Sequence, residues 1–162
     1  MKTQVVVGLF LGMVGVHSAA GAAELFQARL SGAEEVPPVE TDTTGRFEIL
    51  FDKDALSGEY TLRVASGRRV TQAHFHCAPA GVNGSIIVYL AGFQEKGWDV
   101  DGKWVSNATI TDGNITNAGT ACGATLEDIV EAARNGNVYV NVHSVAKPGG
   151  EVRGQLLPAK GS

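Results

Sequence analysis

The spacing of the histidines is the first chemical signal in this sequence. His74 and His76 stand two apart in Ala73-His-Phe-His76, and His143 closes the run Val138-Tyr-Val-Asn-Val-His143. On an extended chain alternate residues share a face about 6–7 Å apart, so Gln72, His74 and His76 point one way and Thr71, Ala73, Phe75 and Cys77 the other. In the later run Val138, Val140 and Val142 form an apolar face, which leaves Tyr139, Asn141 and His143 on the opposite one. A His-x-His pair joined by a third histidine from another strand suits Zn²⁺ or Cu²⁺, since neutral imidazole binds both. The pattern therefore predicts a site for one copper or zinc ion held by His74, His76 and His143, with Glu151 or a water completing the shell. The alternative is a polar network without metal, in which Arg153, Glu35, Tyr139 and Asn141 join the histidines and Glu151 or Glu35 pairs with Arg153. A Ser-His-Asp order, an HExxH pair and a Gly-rich phosphate loop are all missing, so no catalytic residue is assigned and a binding or protein-interaction module is expected ahead of an enzyme.

These side chains need strands to position them. Alternating runs occur at 25–30, 45–51, 60–64, 70–77, 85–90, 104–110, 138–143 and 151–157, each bounded by Gly, Pro, Asn or Asp. About eight such runs predict a mainly β domain, a Greek-key sandwich or barrel. The connection 144–150, with Pro148-Gly149-Gly150, predicts an antiparallel return that brings Glu151 or Arg153 toward His143. One short helix is expected over 125–134: Thr125 and Asp128 have capping-box spacing, Leu126, Ile129, Val130 and Ala133 recur at helical intervals, and Gly136 is a stop. The stretch from Phe93 to Thr120 is polar and rich in Gly and Asn, and reads as a surface excursion clamped by Trp98 and Trp104. Leu30-Ser-Gly-Ala-Glu-Glu-Val-Pro-Pro-Val39 is a turn followed by a stiff extended segment, because consecutive prolines fix φ and remove donors.

The N-terminus carries Lys2, an apolar run over 5–16 and the small-residue stretch Ser18-Ala-Ala-Gly-Ala-Ala23. That run is too short to span a bilayer and fits a secretory signal cleaved after Ala22, so 1–22 is the leader and 23–162 the single mature domain. Cleavage removes His17 and the one cation Lys2, taking the formal net charge from −4 to −5. A periplasmic or extracellular location follows, with no membrane span left after processing. The acidic balance, with no basic cluster beyond Arg68-Arg69, excludes nucleic acid as a partner and leaves an exported protein partner open. Export and an even count favour a Cys77–Cys122 disulfide closing a loop of about 45 residues, contributing on the order of 3–4 kcal/mol. The rival is a thiolate ligand, since Cys77 adjoins His76. Three sequons, at Asn83, Asn107 and Asn114, matter only in a eukaryotic secretory pathway.

Four motifs in order carry a family resemblance: the Leu30–Val39 decapeptide, Ala73-His-Phe-His76 with Gly81-Val-Asn-Gly84, Gly136-Asn-Val-Tyr-Val-Asn-Val-His143, and Pro148-Gly-Gly-Glu-Val-Arg-Gly-Gln-Leu156. Together they closely resemble the CHRD domain, which implies a secreted β-sandwich module of poorly defined biochemical role. The cysteine-rich modules of chordin are absent, so its antagonism of growth factors is not implied here. A weaker similarity is to copper/zinc superoxide dismutase, in which a His-x-His strand, a later His and a late Arg take places comparable to His74, His76, His143 and Arg153. Three histidines are too few for that enzyme's two-metal centre, so its redox catalysis does not carry over.

Overall fold

The structure, a computed structural model, describes residues 23–52 and 54–159; the expected leader, 1–22, lies outside the described residues. The described chain runs β1 (Glu24–Ser31), β2 (Thr44–Phe51), β3 (Ser57–Cys77), β4 (Ser85–Ala91), β5 (Trp98–Thr111), α1 (Leu126–Arg134), β6 (Val138–Ser144), β7 (Val152–Gln155) and β8 (Leu157–Pro158). It is mainly β. β1 pairs with β2, β2 with β3, β3 with β6, β6 with β7, and β7 returns to β1 through Ser31 opposite Arg153, so five strands close into a barrel. Strands β4 and β5 extend it from β3, and β8 from β1.

Period-two alternation fills the interior. Phe26, Phe47, Ile49, Phe51, Leu62, Phe75, Val140 and Val152 are all fully buried or nearly so. Phe47 lies stacked on Tyr60 at 5.5 Å and edge-on to Phe75 at 5.2 Å. Each such side chain taken from water contributes about 1.5–3 kcal/mol, and the aromatic contacts add about 0.5–1.5 kcal/mol each.

Three expectations change. The runs 60–64 and 70–77 are one strand, β3, which pairs with β2 and β5 through its first half and with β4 and β6 through its second. The bend between the halves uses positive φ at Ser66 (56°) and Arg69 (48°) around Gly67, where a Cβ would meet the methyls of Val64 and Val70 at 2.8 Å. The residues from Trp98 onward are not a surface excursion but the first half of β5. Their pattern is hidden because this outer strand is exposed on both faces, while Asp99 and Asp101 accept the backbone N–H groups of Arg69 and Ser66. The run 151–157 breaks into β7 and β8, since β8 leaves β7 to pair with β1.

The helix forms as its caps dictate. Thr125 Oγ1 accepts from Asp128 N and the Asp128 carboxylate accepts from Thr125 N, which completes the capping box. Gly136 (φ 71°) and Asn137 donate to Ala133 and Ala132, a Schellman close. Leu126, Ile129, Val130 and Ala133 are the buried face. Cys77 and Cys122 form the disulfide, with Cα atoms 5.8 Å apart, so the thiolate-ligand alternative is set aside. It pins the approach to α1 against the end of β3.

Candidate metal centre

The register of β3 against β6 assembles the site. Gln72 lies opposite His143, His74 opposite Asn141 and His76 opposite Tyr139, while β7 sets Arg153 beside Asn141 and Gln155 beside Tyr139. The valines of β6 face the barrel interior, so this polar set lies on the outer side of the same strands. It is not solvated: His74 is 0%, His76 8% and His143 6% exposed, and Asn141 and Arg153 are buried with them.

The segment 78–84 and its neighbours form the cover. Arg153 donates to the carbonyls of Pro79 (3.1 Å) and Val82 (2.9 Å) and to the side chains of Asn83 (3.2 Å) and Gln155 (3.3 Å). Asn83 in turn donates to Val36 O at 2.7 Å, which ties the Pro37-Pro38 segment to the same cover. The guanidinium of Arg153 lies 3.5 Å over the Tyr139 ring, and Tyr139 stacks on His76 at 4.7 Å with an interplanar angle of 8°. The Tyr139 hydroxyl accepts from Gly84 N.

Within this enclosure His74, His76 and His143 each offer one ligand atom, and these atoms all lie within 4.8 Å of one another. Backbone carbonyls fix two tautomers. His76 Nδ1–H donates to Gly84 O and His143 Nδ1–H to Pro148 O, both at 2.9 Å, so both rings present an unprotonated Nε2. His143 Nε2 then faces His74 Nδ1 and Asn141 Oδ1, each at 3.0 Å. His74 Nδ1–H can donate to this nitrogen, which leaves the His74 lone pair on Nε2. His74 Nε2 and His76 Nε2 are buried with no hydrogen-bond partner at all.

The rings stay neutral. Burial pushes His74 down to about 3, reinforced by His143 and His76. Burial likewise lowers His76 and His143, against the opposing effect of their carbonyl bonds. Nitrogen lone pairs on all three rings are therefore available to lower pH than on an ordinary histidine near 6.5.

Neither of the two acids expected at the site is grouped with the histidines. Thr41 and Thr43 hydroxyls donate to Glu151 Oε1 at 2.8 and 2.7 Å, so this carboxylate secures the 41–43 segment and is not grouped with the histidines. Burial alone would raise its pKa, but bonds from Ser144, Thr43 and Thr41 bring the net shift downward. Glu35 packs over Gly150, with Oε1 unpartnered, and burial raises its pKa to about 7 against the pull of Arg153. Neither forms an ion pair with Arg153 among the described residues. The positioning groups that sequence reasoning missed are the Gly84 and Pro148 carbonyls, together with Tyr89, whose ring meets His74 edge-on at 4.7 Å. Their only sequence signal was the glycine- and proline-bearing loops that follow each histidine strand.

Fold and site thus define a closed β-barrel domain whose outer face carries a roofed three-histidine cluster. The chain belongs to the CHRD-domain family, whose pattern it matches over residues 26–156. No curated protein and no solved structure matches it. Among the described residues no helix is long and apolar enough to cross a membrane.

Proposed function

We propose that this CHRD domain is an exported metal-binding module that holds one copper or zinc ion through His74, His76 and His143. The observation that carries the reading is the pair of buried, unpartnered Nε2 atoms on His74 and His76, grouped with the buried His143 ring. Leaving polar nitrogens buried without partners costs about 1–3 kcal/mol each, and a cation bound among them removes that cost. Export is supported by the disulfide and by the signal-like N-terminal sequence. The near-complete burial of the cluster favours holding an ion over turning over a substrate.

Calorimetric titration of metal-stripped protein with Cu²⁺ and Zn²⁺, on wild type and His76→Ala, tests the reading. It expects one site per chain in the wild type and a loss of at least about tenfold in affinity in the variant. Equal affinities in the two proteins would assign the histidines to a polar network instead.

A further inference from the structure

We infer that the three-histidine site selects a monovalent ion, copper(I), over zinc(II) and copper(II); this rests on the metal-centre reading above. The ligand set is electrically neutral. The candidate group contains only imidazoles: Glu151 is held by Thr41 and Thr43, Cys77 is bonded to Cys122, and Glu35, packed over Gly150, is not among the grouped ligands. Nor is the surrounding field neutral. Arg153 is 1% exposed, its guanidinium bonds go to neutral oxygens, it is separated from His76 by the stacked Tyr139 ring, and the one acid whose charge it feels, Glu35, is itself held toward its neutral form by burial.

A cation entering this enclosure leaves its water behind. The cost of desolvating an ion grows with the square of its charge, so a dication loses about four times what a monocation of similar size loses. Repulsion from the guanidinium doubles with the second charge. For charges one ring apart in an effective dielectric near 20, that second charge alone disfavours the dication about 30-fold. Zinc(II) usually offsets such losses with thiolate, carboxylate or a bound water, and copper(II) with a tetragonal set of four or more donors. Copper(I), with a filled d shell, accepts three neutral nitrogens in a plane. Ligand nitrogens around such an ion stand about 3.5 Å apart at bond lengths near 2.0 Å. The ligand atoms of the three rings lie within 4.8 Å of one another, so the widest separation must contract by roughly an ångström.

The test is anaerobic competition on the intact mature protein. Copper(I) is supplied as its bicinchoninate complex, and zinc(II) and copper(II) against chromogenic chelators. Wild type is expected to bind copper(I) at least about 100-fold more tightly than either dication. Asn141→Asp is nearly isosteric and places a carboxylate beside His143 Nε2, where Asn141 Oδ1 now lies at 3.0 Å. It is expected to narrow the preference at least about tenfold by strengthening zinc(II) binding. Wild type that prefers zinc(II) or copper(II) overturns this inference and leaves the metal centre standing. Binding of none of the three ions overturns both. If Asn141→Asp is folded by circular dichroism and the ratio is unchanged, the charge argument is overturned; if it fails to fold, the wild-type ratio alone decides.

Discussion

Replacing Glu35 by Gln should stabilise the protein at neutral pH and leave it nearly unchanged in mild acid. Glu35 is buried over Gly150, and that burial lifts its pKa from 4.5 to about 7 although Arg153 attracts the ionised form. A group whose folded pKa exceeds its unfolded value keeps its proton on folding and adds stability at low pH. That contribution is whole below about 4.5 and is lost as pH rises through about 7. The full shift corresponds to about 3 kcal/mol at 1.36 kcal/mol per unit, and relaxation of the site around the ionised carboxylate brings the realised amount to about 1–2 kcal/mol. Gln has the same size and no ionisation, so it removes the cost. Urea unfolding of wild type and Glu35→Gln at about pH 4 and about pH 7.5 measures the effect as a gap of about 1–2 kcal/mol at the higher pH that nearly closes at the lower. A gap independent of pH, or a variant less stable than wild type at pH 7.5, would refute the placement of Glu35 as a desolvated carboxyl.

The metal-free histidines act in the opposite direction. Because burial depresses His74 to about 3, its unfolded form takes up a proton below about 6.5 that the folded form refuses, so stability falls with acid, by about 1–2 kcal/mol at pH 5 from His74 alone. Denaturant titration of metal-stripped Glu35→Gln isolates this slope, and a flat profile from pH 7 to 5 contradicts it. The Cys77–Cys122 bridge should resist alkylation until reductant is added, and Cys77→Ser with Cys122→Ser should lose about 2–4 kcal/mol in urea unfolding. Gly154→Ala should open the barrel seam, because a Cβ there runs into the carbonyl oxygen of Arg29 on β1; a fall in melting temperature of more than about 5 °C is expected, and an unchanged one would contradict the closure.

Much of this architecture was legible from spacing. Thr125 with Asp128 specified the helix start, and the alternation in 70–77 and 138–143 put the three histidines and Asn141 on one side before any register was known. What alternation does not specify is which side lies indoors. The polar face reads as solvent-facing because the rule of apolar-in and polar-out assumes one covered face per strand, whereas here the 78–84 segment and its neighbours roof the outer face and hold it through Arg153 and Asn83. The bent strand β3 escaped detection because two non-glycine residues, Ser66 and Arg69, take positive φ in mid-strand, and turn chemistry does not mark those positions. Glu151 was placed near the histidines by hairpin logic alone, and two threonines more than a hundred positions away claim its carboxylate. Contacts of that separation leave no local trace in a single sequence.

The central claim is that the three imidazoles hold an ion, and elemental analysis of protein purified from an oxidising compartment, without added metal or chelator, tests it most directly. The account predicts close to one copper or zinc per chain, removed by His76→Ala while the disulfide and the circular dichroism spectrum are retained. Metal at background level in the wild type, both as isolated and after loading with copper and with zinc, would contradict it.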